Sequence, residues 1–434
     1  MGTTHDQDKT RAGAPTVDID YHSGAFVSSD IPERMAAWNE VRGGCPVAWN
    51  ENGDGFWLLA DYPSVHLASR DEATFLHAYD PDATDGVDYL GVISVPRPPL
   101  AGKFVIGETD GPFHTALRAG LNPHFTPTKA REIRTSLDQT ANWLIDRFIE
   151  RGTVEFIDDL IAPVTAIATL QTLGLPGRYW ENISNVFHRM AGHMADVDEM
   201  AYAVNVELPQ LRSMIVAELL DRRAHPRDDV ATAIAHIEVG GRLLDEEELY
   251  LVVYNLASGG VDTTAGFTGL VLWHLQTDRE TRQALQGQPE LWDSATEEFL
   301  RLYGTVPSLA RTMAADCEVG GQTLRRGDHV VVAYAAANRD PREFDRPDEF
   351  VIDRRRNRHL SFGLSSHRCL GSHLARVVFQ SIAGAVLERM PDYEIDLDNT
   401  VLYGGSPSVI GVWSLPATFP PGRPLGVDKP FDDK

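Results

Sequence analysis

Cysteine is scarce in this chain of 434 residues. Cys45, Cys317 and Cys369 are too few and too scattered for a disulfide framework, which excludes a small secreted scaffold and suits a reducing, cytoplasmic setting. Positive charge is also in deficit: 39 Lys and Arg face 63 Asp and Glu, a net charge of −24, so polyanions such as nucleic acid or an anionic membrane surface are not the main partner. The N-terminal stretch, residues 1–27, has no basic flank followed by an apolar run. It is expected to be a disordered arm rather than a leader or an anchor. Long apolar runs are few; only 251–275 approaches a membrane span, and Asn255, Asp262 and the Gly259-Gly260 pair make it read better as a buried helix. Internal repeats and low-complexity linkers are absent.

What is present is an ordinary globular composition, 43% hydrophobic and 24% charged, able to supply a sizeable core. Short helical patterns at 31–41 and 62–67 flank an alternating segment, 46–59, with Gly53 in a hairpin turn. A Gly/Pro/Asp-rich stretch, 79–109, has no periodicity and is expected to be a long functional loop. From 111 to about 302 the patterns are helical, with breaks near Gly152, Gly177 and Gly240-Gly241. Short strands follow around Gly320 and at 330–335, then an irregular charged segment 338–359, a helix after Cys369, and strands and turns beyond Asp392. The fold class is mainly α with small β-sheets, an α+β arrangement.

The most informative run is residues 359–371, HLSFGLSSHRCLG. It combines an aromatic residue, glycines suited to a tight turn and a cysteine before a helix, whose backbone N–H groups should make the Cys369 thiol easier to ionise. A buried structural cysteine is an alternative reading. So is zinc, since His367, Cys369 and His373 lie close together, although structural zinc wants four ligands. The run resembles the haem-binding loop of the cytochrome P450 superfamily, Phe-Gly-x-Gly-x-His/Arg-x-Cys-x-Gly. Phe362, Gly363, His367, Cys369 and Gly371 match, while Ser365 stands where the second glycine is usual.

The resemblance extends over roughly 30–420 and implies one domain over 28–434, a triangular helical body with an N-terminal β-rich lobe. It makes Cys369 the axial metal ligand of haem b (iron protoporphyrin IX), with His114, Arg118, Arg311 and His367 facing the propionates. Glu298 and Arg301, on one face of a helix 291–303, join Arg354 in a structural ion-pair network. In a central oxygen-binding helix at about 245–277, Gly259 and Gly260 let dioxygen approach beside a local widening, and Asp262 and Thr263 form the acid-alcohol pair that delivers protons. Asn255, Ser258, Val306, Leu309, Val409 and Ile410 would line the substrate pocket, with the 79–109 loop.

The implied reaction is monooxygenation, most simply hydroxylation, of a small lipophilic molecule such as a terpenoid, polyketide or peptide, with O2 as co-substrate. The chain has no room for a flavin or nicotinamide domain, so NAD(P)H acts only indirectly, through a ferredoxin or flavodoxin with its reductase. Arg354, Arg355, Arg356 and Arg358, with Arg368, form a basic patch that could dock such an acidic partner or be a solvated loop. A monomer is expected. A peroxide-driven enzyme, an aromatic-coupling oxidase and a haem ligand sensor remain alternatives; Asp262 and Thr263 favour the O2-dependent enzyme over the first and the last.

Overall fold

The computed structural model describes residues 13–20, 22–28, 30–82, 90–95, 103–192, 197–403 and 409–431. A six-stranded sheet forms one side of the molecule. Its strands are β1 (Thr16–Val17), β2 (Val47–Asn50), β3 (Phe56–Leu59), β4 (Phe75–Leu76), β5 (Leu309–Met313) and β6 (His329–Val332), in the order β1-β2-β3-β6-β5-β4. The β2-β3 hairpin turns through Gly53 and Gly55, both at positive φ, and a Cβ on Gly55 would overlap the Trp49 ring. Trp49 and Trp57 are register partners with edge-to-face rings 5.5 Å apart. Alternation in this hairpin does not separate core from solvent, because every residue of both strands is buried. Instead it divides two cores: Val47, Trp49, Trp57 and Leu59 face one cluster, Phe56 and Leu58 another that contains Trp38 and Val41.

The helices that position the site are α1 (Ile31–Gly43), α2 (Tyr62–Arg70), α3 (Gly111–Leu121), α4 (Arg134–Asp146), α5 (Ala162–Leu173), α6 (Trp180–Gly192), α7 (Glu246–Thr277), α8 (Trp292–Tyr303) and α9 (Ser372–Arg389). α1 and α2 begin as their sequences dictate, with Asp30 and Asp61 accepting from the N3 backbone amides and proline in the first turn. α7, 32 residues long, starts on a reciprocal capping box between Asp245 and Glu248, and Glu248 is also paired with Arg242 at 2.6 Å. It is buried on nearly every side because α5, α6 and α9 all pack against it. α9 in turn packs on α4. The helical stretch Ser365–Arg389 is apolar and long enough to cross a membrane by composition, yet more than half of its apolar window is buried inside the protein, as in a core helix.

Three expectations need correction. The arm expected to be disordered over 1–27 is ordered from Gly13, since Thr16 and Val17 add a parallel strand to Trp49 and Asn50; residues 1–12 lie outside the described residues. The strand expected at 330–335 ends at Val332, and Tyr334–Ala337 turns into a short helix. The break at Gly152 is followed by a strand, Thr153–Glu155, that pairs with Pro416–Thr418 near the C-terminus. Local periodicity could not reveal a partner so distant.

Candidate functional site

Residues 359–371 form an irregular loop pinned at its start. Leu360 donates its N–H to Asn338 Oδ1 at 2.7 Å, and the Ser361 hydroxyl donates to Leu300 O at 2.6 Å. Gly363 turns at φ +62, Ser365 sits in the left-handed region at φ +59, and Cys369 N–H donates to Phe362 O at 2.8 Å. The slot usually held by glycine thus keeps a glycine-like conformation, at a cost of about 1–2 kcal/mol for serine. An acidic clamp holds the next residues. Glu72 accepts from Ser366 N–H and Ser366 Oγ, each at 2.7 Å, and from His367 N–H at 3.2 Å.

Cys369 retains accessible surface although protein encloses it on most sides, so its thiol opens on a cleft rather than on bulk solvent. The expectation of an easily ionised thiol is reversed in the protein alone. Burial pushes the thiol pKa up; the Gly371 N–H and the charges of Arg118, Arg368 and Arg376 pull the other way without overcoming it. α9 begins only at Ser372, so its N-terminus is not directly behind the sulfur. Phe362, within the loop, is held under the Arg376 guanidinium at 4.7 Å. Arg376 also pairs with Glu297, as does His359.

Beside the loop, three imidazoles stack: His77 on His367 at 3.4 Å and His114 on His367 at 3.8 Å, the latter pair within 3° of parallel. Asp110 Oδ1 lies 3.0 Å from His77 Nδ1 and 3.5 Å from His367 Nε2. Burial lowers the pKa of all three, His114 to about 3. His77, Asp110 and His367 are close enough to suggest a metal cluster, but two stacked rings facing one carboxylate oxygen are accounted for by hydrogen bonding. Cys369 belongs to no such cluster among the described residues, so the zinc reading has no ligand set. Arg118 and Arg311 complete the group; Arg311 donates to Ala310 O and Tyr334 Oη. Buried His114 Nε2, Arg118 Nε and His367 Nδ1 have no hydrogen-bond partner among the described residues. Arg118 Nε is a permanent donor and each of the two imidazole nitrogens donates when protonated, so the group fits an anion such as a haem propionate. His77, Asp110 and Glu72 were not found from sequence, and no local motif marks them.

Leu370, next to Cys369, packs against the cluster containing Ala257 and Val261 of α7 and Leu117 of α3. The structure separates the two glycines. A Cβ on Gly259 would meet nothing within 4 Å, whereas one on Gly260 would lie 2.9 Å from Thr169 Oγ1 on α5. Gly260 therefore serves helix packing, and only Gly259 opens toward free space. The helix stays regular here: Thr263 Oγ1 donates to Gly259 O at 2.5 Å, and Thr305 Oγ1 donates to Thr263 O at 3.2 Å. Asp262 is buried, which raises its carboxyl pKa, while His188 and Tyr403 beside it act in the opposite sense.

The pocket residues divide as well. Val306, Leu309 and Val409 keep accessible surface, but Ile410 is 1% exposed and belongs to the core beside Val412. Asn255 Oδ1 accepts from Ile106 N–H at 2.8 Å, and Ser258 Oγ donates to Asn255 O at 3.3 Å, so much of their polarity is committed internally. In the 79–109 loop, Val92 and Val95 are buried with Trp38; residues 83–89 and 96–102 lie outside the described residues.

The expected ion-pair network is complete. Glu298 accepts from Arg301 Nε and Nη2, both at 2.8 Å, from Arg354 Nε at 2.9 Å and from Val351 N–H at 2.9 Å. Arg354 is thereby withdrawn from the basic patch, leaving Arg355, Arg356 and Arg358 exposed.

Residues 164–391 match the family model described as Cytochrome P450. Over 417 residues the chain is 29% identical to a steroid C26-monooxygenase of Mycobacterium tuberculosis, covering 94% of this chain and 99% of that protein. It is 32% identical over 288 residues to the polyketide biosynthesis cytochrome P450 PksS of Bacillus subtilis, covering 66% and 70%. The solved PksS structure superposes with a TM-score of 0.77 at 27% identity over 92% of this chain and 99% of that one. The LnmA cytochrome P450 hydroxylase from the leinamycin biosynthetic pathway of Streptomyces atroolivaceus gives 0.78 at 28% identity, over 93% and 100%.

Proposed function

The chain belongs to the cytochrome P450 family, and from that premise we propose that it is an O2-dependent haem monooxygenase that hydroxylates a lipophilic natural product, drawing electrons from a separate ferredoxin or flavodoxin. The observation that carries the reading is Cys369 opening on a cleft beside His114, Arg118 and His367, each with a buried nitrogen that has no hydrogen-bond partner among the described residues. Cys369 would ligate the iron of haem b, and those three residues with Arg311 would hold its propionates. When bound, the haem supplies activation of O2, using two electrons and two protons to insert one oxygen atom into a C–H bond.

The remaining roles belong to the chain. Asp262, whose carboxyl pKa is raised by burial, is suited to accept and release a proton inside the protein. The Thr263 hydroxyl, one residue on and anchored on Gly259 O, is placed to pass that proton into the cleft. Gly259 leaves space for a small ligand. Val306, Leu309 and Val409 offer apolar surface to a substrate, and the names of the steroid and polyketide relatives support a large, mostly apolar molecule. Arg355, Arg356 and Arg358 present positive charge near the loop to an acidic electron donor. The three free thiols suit a cytoplasmic setting.

The deciding experiment is a spectral-shift screen of polyketides, steroids, terpenoids and peptides on the purified holoprotein, followed by turnover with a surrogate ferredoxin system. Thr263→Ala is expected to consume reductant while releasing hydrogen peroxide in place of product. Unchanged coupling would overturn the role of Thr263. Product formed from hydrogen peroxide alone, at the rate of the full electron chain, would establish the peroxide-driven reading instead.

A further inference from the structure

Burial of Asp262 raises a question of supply, because a carboxyl enclosed by protein can deliver protons repeatedly only if it is recharged from solvent. His188, on α6, lies between Asp262 and the surface. Its Nδ1 is 3.7 Å from Asp262 Oδ1, and its Nε2 is 3.5 Å from Asp158 Oδ1. The two ends differ sharply in exposure: the Asp262 side chain is 9% exposed and that of Asp158 is 69% exposed, with His188 at 10%. Asp158 reaches this point from the π-helical turn Ile157–Ile161 that leads into α5.

His188 is held for this geometry. Its ring stacks on Trp413 at 3.9 Å and 8°, and meets Tyr403 edge-on at 6.3 Å. The stack sets the plane of the imidazole, and its two nitrogens then face the two carboxylates. His188 Nδ1, His188 Nε2 and Asp262 Oδ1 make no closer hydrogen bond among the described residues, and a shift of under about 1 Å would bring either gap within hydrogen-bond range. Among the described residues, the other titratable groups facing the ring are Glu155, half-buried and hydrogen-bonded to the Asp158 N–H, and the Tyr403 hydroxyl beside Asp262. Arg189, next in sequence, is occupied by Glu199 and Glu207.

We propose that His188 carries protons from solvent at Asp158 to the buried Asp262. The imidazole takes a proton at Nε2 from the Asp158 side, and the resulting imidazolium loses its Nδ1 proton to the Asp262 carboxylate. One proton enters and one leaves; Asp262 goes from charged to neutral and can then serve Thr263. The inference rests on the proton-handling assignment of Asp262 and Thr263. A histidine suits the role because its ordinary pKa lies near neutrality and its two nitrogens can accept on one side while donating on the other. The chain recruits it from α6 and from the turn before α5, elements separate from the haem loop.

The test compares wild type with His188→Phe, Asp158→Asn and Asp262→Asn as holoproteins. Phenylalanine keeps a flat ring against Trp413 while removing both nitrogens. The reduced carbon monoxide complex should keep its thiolate-type spectrum in all three variants, which shows that the haem site is intact. NADPH oxidation driven by a surrogate ferredoxin and its reductase should slow by at least about tenfold in His188→Phe, with a larger solvent isotope effect. Asp158→Asn should slow less, since water can replace a carboxylate at the surface. If His188→Phe keeps the wild-type rate and isotope effect while Asp262→Asn slows, the relay is overturned and the role of Asp262 stands. If Asp262→Asn is also unchanged, the proton-handling assignment fails and the relay falls with it; absence of a thiolate-type carbon monoxide spectrum in wild type would overturn the haem site itself.

Discussion

Glu298→Gln tests the support beneath the haem loop. The Glu298 side chain is fully buried, and burial alone would push its carboxyl pKa up. Hydrogen bonds and charge from Arg301, with Val351 and Arg354, reverse this and hold it below its usual value. The pair does more than neutralise itself: Arg301 donates to Asn338 O, Pro347 O and Glu349 O, and Arg354 to Asp345 O and Arg346 O. These bonds hold an irregular segment that has little regular backbone pairing of its own. Asn338 then passes the constraint on through Leu360 and Ser361 to the start of the cysteine loop. Substituting glutamine removes the negative charge and leaves two buried guanidinium groups unbalanced, at a cost of about 3–5 kcal/mol. That is a large share of the roughly 5–15 kcal/mol by which a folded domain is stable. Guanidinium denaturation followed by far-ultraviolet circular dichroism and by Soret absorbance should show both transitions at lower denaturant in Glu298→Gln, with haem lost no later than helix. Arg355→Ala, at an exposed neighbour, should change stability by less than about 0.5 kcal/mol. A Glu298→Gln protein within that same margin of wild type would refute the reasoning.

Three further outcomes follow from the site. Ser365→Gly should stabilise the holoprotein by about 0.5–1 kcal/mol, the left-handed strain relieved less the added chain entropy of glycine; a less stable variant in the same denaturation assay would show that the serine side chain outweighs the strain. Gly260→Ala should cost about 1–3 kcal/mol by overpacking against Thr169, whereas Gly259→Ala should leave stability unchanged or higher and weaken carbon monoxide binding in the cleft; equal effects at the two positions would refute their separation. Burial pushes the Glu297 carboxyl up, but Arg376 and His359 overcome it and hold it at about 2, so its contribution is full above the unfolded value of about 4.3 and is lost as pH falls toward 2. The stability difference between wild type and Glu297→Gln should shrink through that window, and a constant difference would count against the assignment.

Much of the fold was legible because its signals are local. Asp30 and Asp61 cap helices where the apolar pattern begins, Gly53 marks a hairpin, and Asp245 with Glu248 opens the long central helix. The cysteine loop was legible for the same reason, since Phe362 to Gly371 is a contiguous run whose spacing is set by one turn of backbone. Position in the chain linked it to Glu298, Arg301 and Arg354, and the structure joins those three residues.

The residues that sequence reading missed or placed wrongly depend on contacts between distant segments. Thr16 and Val17 are ordered because β2 offers an edge, and Gly260 is glycine because α5 brings Thr169 against it. Ile410 faces the core rather than the cleft because of the strands around it. Glu72, His77 and Asp110 join the haem loop from segments far away in sequence, and His188 meets Asp158 and Asp262 from three separate elements. The family resemblance, the candidate ligand and the order of the helices are written in short stretches of chain, because propensity, capping and a contiguous motif act over a few residues. Which polar groups lack partners among the described residues, and which glycine serves packing, emerge only on folding, because burial and long-range juxtaposition are properties of the folded chain.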